Sequence, residues 1–144
     1  QEGLKSGKFL FDPSMVLYSK IRPYLMKVCR PNFSGLCSAD VYPLVPKAGL
    51  LYRDMLFHIL MSDGFTAYAE AGSARAGMPK VNRDHLFKYS VWLPDVKMQK
   101  AISENLDDLA LKCQNLVDVF QSKLADLSEL KQSLLQKAFA GELI

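Results

Sequence analysis

Residues 94–144 read PDVKMQKAISENLDDLALKCQNLVDVFQSKLADLSELKQSLLQKAFAGELI, and this run decides the fold. Apolar side chains fall at Ile102, Leu106, Leu109, Cys113, Leu116, Phe120, Leu124, Leu127, Leu134 and Ala138. Their steps of three and four return to one face of a 3.6-residue period. Neither Pro nor Gly interrupts before Gly141, so the run predicts one helix of about 45 residues, roughly 70 Å long. Between Cys113 and Leu127 the steps run three, four, four, three, a stutter that locally unwinds a left-handed supercoil, and Lys131 sits on the seam. A bare seam of that length exceeds the few hundred Å² of contiguous apolar surface that soluble monomers tolerate. The run therefore predicts a coiled-coil partner.

Working outward, the 144 residues leave room for one small domain ahead of the helix, and 49% hydrophobic content is ordinary for a globular chain. The first residue is Gln rather than Met, and QEGLKSG lacks the apolar core of a signal peptide, which reads as a processed or truncated product. No run approaches the length of a membrane span. Residues 1–94 carry 12 Lys and Arg against 7 Asp and Glu, whereas residues 95–144 carry 6 against 8. The positive surplus on the head suits a polyanion there and a protein partner on the helix, although many solvated surfaces carry as much. Cys29, Cys37 and Cys113 match no zinc spacing, and His58 and His85 lie far from the Cys29/Cys37 pair in sequence. Three reduced thiols of a cytoplasmic protein are the expectation, with a Cys29–Cys37 bridge as the alternative.

In the head, residues 1–13 are polar and Gly-rich and end in the turn signal Asp12-Pro13. Residues 15–21 (MVLYSKI), 25–29 (LMKVC), 35–38 and 41–45 read as short strands, and 89–93 (YSVWL) as a last one before Pro94. Residues 50–61 and 65–70 read as helices, the first ended at Ser62-Asp63-Gly64, and Asp95 is a candidate N-cap for the long helix. The fold class is α+β: a small, mostly antiparallel sheet with short helices, then one long C-terminal coiled-coil helix. Lys20, Arg22, Lys27 and Arg30 recur with Tyr18 and Tyr24 among the strands, a pattern that suits phosphate and base contacts and equally suits a solvated sheet face. The loop AGSARAGMP (residues 71–79), with Ser73 and Arg75 and with Lys80 and Arg83 following, lets backbone approach a ligand closely, but has no phosphate-loop spacing. His58 has no nucleophile or carboxylate constellation beside it in sequence, so catalysis, a metal and a cofactor are not expected.

Four stretches in order, SKIRPYL (19–25), GLCSADVYPL (35–44), MPKVNRDHL leading to WLP and Gln99 (78–99), and LKQSLLQKAFAGEL (130–143), resemble the specificity subunit of type I restriction-modification enzymes. Asp95 departs from the family's usual second proline and affects the cap alone. The resemblance implies a partial target-recognition domain over residues 1–94 and a conserved spacer and dimerisation helix over 95–144. It further implies sequence-specific double-stranded DNA as ligand and no catalysis of the chain's own. Methyltransferase subunits would dock on the helix and bring the restriction subunit, with S-adenosylmethionine held by those partners. It raises Lys20, Arg22, Lys27, Arg75, Lys80 and Arg83 as DNA-facing, with Tyr24, Arg30 and Ser73 beside them. With a single helix, the expected assembly is an antiparallel homodimer. The competing expectation is a coiled-coil interaction protein, a truncated relic or an assembly inhibitor, that binds methyltransferase subunits without reading DNA.

Overall fold

A computed structural model describes residues 7–73 and 78–142. Two compact units divide the chain, Gln1–Glu104 and Asn105–Ile144. In the first, strands β1 (Lys8–Phe11) and β4 (Gly35–Ser38) form one antiparallel pair. Strands β3 (Val28–Cys29), β2 (Val16–Ser19) and β5 (Val41–Leu44) form a second antiparallel sheet with β2 at its centre. Helices α1 (Arg53–Leu60), α2 (Asp63–Ala71) and α3 (Arg83–Leu86) follow, and α4 runs from Val96 to Phe139, 44 residues. The α+β class and the long C-terminal helix are as the sequence predicts.

Strand alternation explains the core. Val16 and Tyr18, two apart on β2, point to the same face and are fully buried. They pack with Leu44, Leu60, Phe65, Ala69, Val81 and Leu86, and Phe65 meets Tyr18 and Tyr89 edge-on. Burial pushes the Tyr18 phenol up to about 12. Beside this core the His85 ring stacks on Tyr68 at 4.1 Å and 11° and lies 2.8 Å from the Tyr68 carbonyl, while the Tyr68 hydroxyl donates to the His85 carbonyl at 2.8 Å. Gly72 is required there, because a Cβ on it would stand 2.1 Å from that ring.

Several local expectations change. The run KFLF, placed within a polar leader by its Gly-rich surroundings, is β1, since β4 offers an edge to pair with. Of the strand expected over 25–29 only Val28–Cys29 forms. Pro23–Leu25 winds into a 3-10 turn between Arg22 and Met26, both in the left-handed region at φ 53° and 43°, which reverses the chain. Ser62-Asp63-Gly64 does not simply end α1. The Ser62 hydroxyl accepts from the Phe65 N–H at 3.2 Å and so caps α2, whose first turn takes up Asp63 and Gly64. The expected strand YSVWL is irregular. Tyr89 enters the core, but Trp92 is 81% exposed, and β-propensity needs a neighbouring edge to be realised.

The start of α4 is capped by Asp95, whose Oδ1 accepts from the Met98 N–H at 2.8 Å. One turn on, Gln99 is fully buried. Its amide nitrogen donates to the Leu50 carbonyl at 2.9 Å and the Pro94 carbonyl at 2.8 Å, and its oxygen accepts from the Tyr52 N–H at 2.9 Å. The Ser103 hydroxyl, also buried, donates to the Gln99 carbonyl at 2.8 Å. The helix therefore presents polar side chains to the head, each with its hydrogen-bonding capacity met. Gln99→Leu would keep the volume and strand three backbone groups, so urea denaturation should show a loss of about 3 kcal/mol. Gln99→Glu should also destabilise, because a carboxylate cannot donate to the two carbonyls.

Candidate nucleic-acid interface

The cationic candidates fall in three places. The first is the connection from β2 to β3. Strand β2 delivers Lys20, whose N–H donates to the Asp40 carbonyl at 3.0 Å, and the chain then forms an isolated antiparallel bridge, Ile21 with Lys80. The Arg22 N–H donates to the Pro79 carbonyl at 3.0 Å and the Val81 N–H to the Lys20 carbonyl at 2.9 Å. Two distant pieces of sequence, SKIRP and MPKV, are thereby joined through their backbones. Arg22 and Lys27 are exposed, and Tyr24 is 49% exposed.

Asp40, in the turn between β4 and β5, organises the cations of this region. Lys80 Nζ lies 2.8 Å from Asp40 Oδ1 and Lys20 Nζ 3.4 Å from the same oxygen. Lys20 also donates to the Ala39 carbonyl and lies 5.2 Å from the centre of the Tyr42 ring. The hydrogen bond from Lys80 is the leading reason the Asp40 carboxyl sits below its usual range, with the charge of Lys80 and both contributions of Lys20 adding against partial desolvation. Asp40 was not among the sequence candidates. Its only signal was its place in GLCSADVYPL, because an acid opposed to two lysines 20 and 40 positions away is invisible to local pattern.

The second place is α1. Arg30 Nη1 lies 3.2 Å from Asp54 Oδ1, and its guanidinium sits 4.2 Å from the Phe57 ring centre. Arg53 contacts Asp54 at 3.0 Å and also the Pro13 carbonyl. Burial pushes the Asp54 carboxyl up, but hydrogen bonds from Arg53 and Tyr52, the Arg53 charge and Arg30 outweigh it and hold the carboxyl below its usual range. The third place is α3, where Arg83 lies 5.5 Å from the Phe87 ring centre and lines a cavity of about 490 Å³ with Leu44, Ile59, Phe65 and Leu86. Ser73 is 3% exposed, its hydroxyl donating to the Glu70 carbonyl at 2.9 Å. Arg75 lies outside the described residues. Among the described residues no three His, Cys, Asp or Glu side chains group as metal ligands. Cys29, Cys37 and Cys113 are free thiols, which removes the Cys29–Cys37 bridge.

The seam residues Leu106, Leu109, Cys113, Leu116, Phe120, Leu124, Leu127, Leu134 and Ala138 are all exposed on α4, with Ile102 half-buried. Lys112 and Asp108 pair one turn apart at 2.6 Å. No helix among the described residues is long and apolar enough to cross a membrane.

No protein-family model matches the chain. Over 143 residues, 99% of its length, it is 35% identical to the type I restriction enzyme EcoDI specificity subunit of Escherichia coli. Nearly the whole chain is thus similar to part of a type I specificity subunit. The chain spans 32% of the length of that relative. A chain in a solved structure described as "Structural basis underlying complex assembly and conformational transition of the type I R-M system" shares its fold. The TM-score is 0.76 at 22% identity, over 93% of this chain and 32% of that one.

The Asp54 cluster yields a sign for acid sensitivity. A carboxyl held below its unfolded value of about 3.9 contributes stability at higher pH that is lost as pH falls through the folded value. Asp54→Asn should therefore lower stability near neutrality and flatten its fall below about pH 4, as read by urea midpoints from pH 7 to pH 3.

Proposed function

We propose that the chain is a non-catalytic DNA-recognition component of a type I restriction-modification system, acting in the cytoplasm. In this reading residues 1–94 are part of a target-recognition domain and residues 95–144 a spacer and dimerisation helix. The observation that carries it is the family relationship over 99% of the chain, joined to an exposed cationic connection at Arg22 and Lys27 with Tyr24 between them. Guanidinium and ammonium groups hold phosphates, and a guanidinium also reads guanine edges bidentately, at about 1–3 kcal/mol of discrimination per good pair. Lys20 and Lys80 flank that connection. Arg30, Ser73 and Arg83 are already engaged by the fold and have the smaller part in this reading, and Arg75, outside the described residues, is a further candidate.

The helix supplies the second half of the proposal. About ten seam side chains per chain, at ~1.5 to 3 kcal/mol each when buried, exceed the ~4 to 15 kcal/mol cost of association. Antiparallel self-pairing places the two helix N-termini at opposite ends of the pair, so the DNA read would be a split palindrome. Methyltransferase subunits are the proposed dock for the outer helix surface, and through them the restriction subunit.

A second reading draws on the pairing of both Lys20 and Lys80 with Asp40, which lowers the charge offered to DNA. It makes the chain a coiled-coil protein that binds methyltransferase subunits without reading DNA. Binding to a random duplex library across 50–200 mM salt, with and without methyltransferase subunits, separates the two. If roughly five phosphates are engaged, log affinity should fall against log salt with a slope near −4 to −5, and Arg22→Ala with Lys27→Ala should reduce that slope by about 2. A flat salt dependence in both conditions removes DNA reading and leaves the second proposal.

A further inference from the structure

The seam of α4 is a palindrome in its spacing. From Ile102 to Ala138, with Lys131 included, the steps are four, three, four, three, four, four, three, four, three, four, and they read the same backwards about Phe120. A regular heptad seam leaves an antiparallel pair free to slide by one seam step at little loss of alignment. A stutter removes that freedom, because the helix surface is locally unwound at one level and matches a partner unwound at the same level. Here the stutter is the pair of four-residue steps on either side of Phe120, so the two copies match only when their Phe120 residues meet.

Building on the self-pairing reading above, we propose that a second copy of this chain covers the seam in a single antiparallel register, with the two-fold axis at Phe120. In this register each residue faces the level of its mirror position. Leu116 faces Leu124 of the other copy, Cys113 faces Leu127, and Lys131 faces Leu109. The charges agree with it. Lys131, the one polar seam position, comes to within one residue of the level of Asp108 on the other copy, and Lys112 to within two residues of the level of Asp126. Along the axis those offsets are about 1.5 Å and 3 Å, within reach of a lysine side chain. Sliding one seam step in one direction instead brings Lys112 level with Lys131 of the other copy. Sliding either way sets the stutter against a regular stretch. From Leu106 to Ala138 the seam residues are exposed on each chain, Phe120 by 61%. The register also fixes a length: the two Val96 residues lie 48 positions apart along the paired rods, roughly 70 Å.

Native Cys113 supplies the test, with Cys29→Ser removing the other exposed thiol. In the proposed register Leu127→Cys should give a covalent dimer on oxidation, read on a non-reducing gel, whereas Leu124→Cys, which faces Cys113 one seam step away, should not. Phe120→Cys combined with Cys113→Ser should cross-link to itself at the axis. Sedimentation equilibrium on the same proteins under reducing conditions reads the pairing alone. A dimer that cross-links through Leu124→Cys, or through unaltered Cys113 to itself as a parallel pair would, overturns the register while self-pairing stands. A monomer at micromolar concentration overturns self-pairing and the register with it.

Discussion

Gln99 ties the segment carrying Leu50 and Tyr52 to the Pro94 carbonyl and the first turns of α4. A primary amide is suited to this because it donates twice and accepts on one group, and neither an acid nor an apolar residue of the same size can do both. Burial makes the arrangement stringent, since any backbone group left unmet there bears the full cost of desolvation. Around it α4 changes character. Gln99 and Ser103 are buried within the first compact unit, while from Glu104 on nearly every described side chain of the helix is exposed. The long helix therefore carries two surfaces in sequence, one buried within the first unit and one exposed.

The head shows a similar division between charges that hold the fold and charges that face outward. Asp40 and Asp54 each gather two cations, and in each case one of the two comes from a distant segment: Lys80 to Asp40, Arg30 to Asp54. These part-buried ion pairs set where the lysines and arginines point. Arg22 and Lys27 lie on either side of the 3-10 turn Pro23–Leu25, whose flanking residues Arg22 and Met26 are both left-handed. In the proposed reading this reversal, with its two cations and a tyrosine, is the surface that would meet a phosphate backbone.

Similarity to a type I specificity subunit gives these two surfaces a common setting in the proposed reading, and the chain matches 32% of that relative's length. In the proposed reading, one surface meets DNA and the other meets a second copy of the same helix, and the seam's internal symmetry is the feature that would turn a single rod into a ruler of defined length.

The long helix was legible in the sequence because its period repeats over ten turns with no breaker, a signal too long for local accident. Strands β2 and β5 were legible for a similar reason, their β-branched and aromatic residues being bounded by turn residues, and β4 (GLCS) from its place between turn signals. The KFLF strand and the irregular YSVWL segment were not, because a short apolar run becomes a strand only where an edge is offered, and the edge belongs to residues far along the chain. The cationic candidates could be named as residue types, yet nothing local separates Lys80, drawn to Asp40, from Lys27, which is exposed. What the sequence determined by itself was periodic: the rod, its seam and the stutter within it. What only the tertiary structure decided was pairwise and long-range: which acid holds which base, that the Gln99 amide is buried against the head, and where the seam's buried part ends. Periodicity is written in neighbouring residues, whereas a hydrogen bond between Gln99 and Tyr52 exists only once the chain between them has folded.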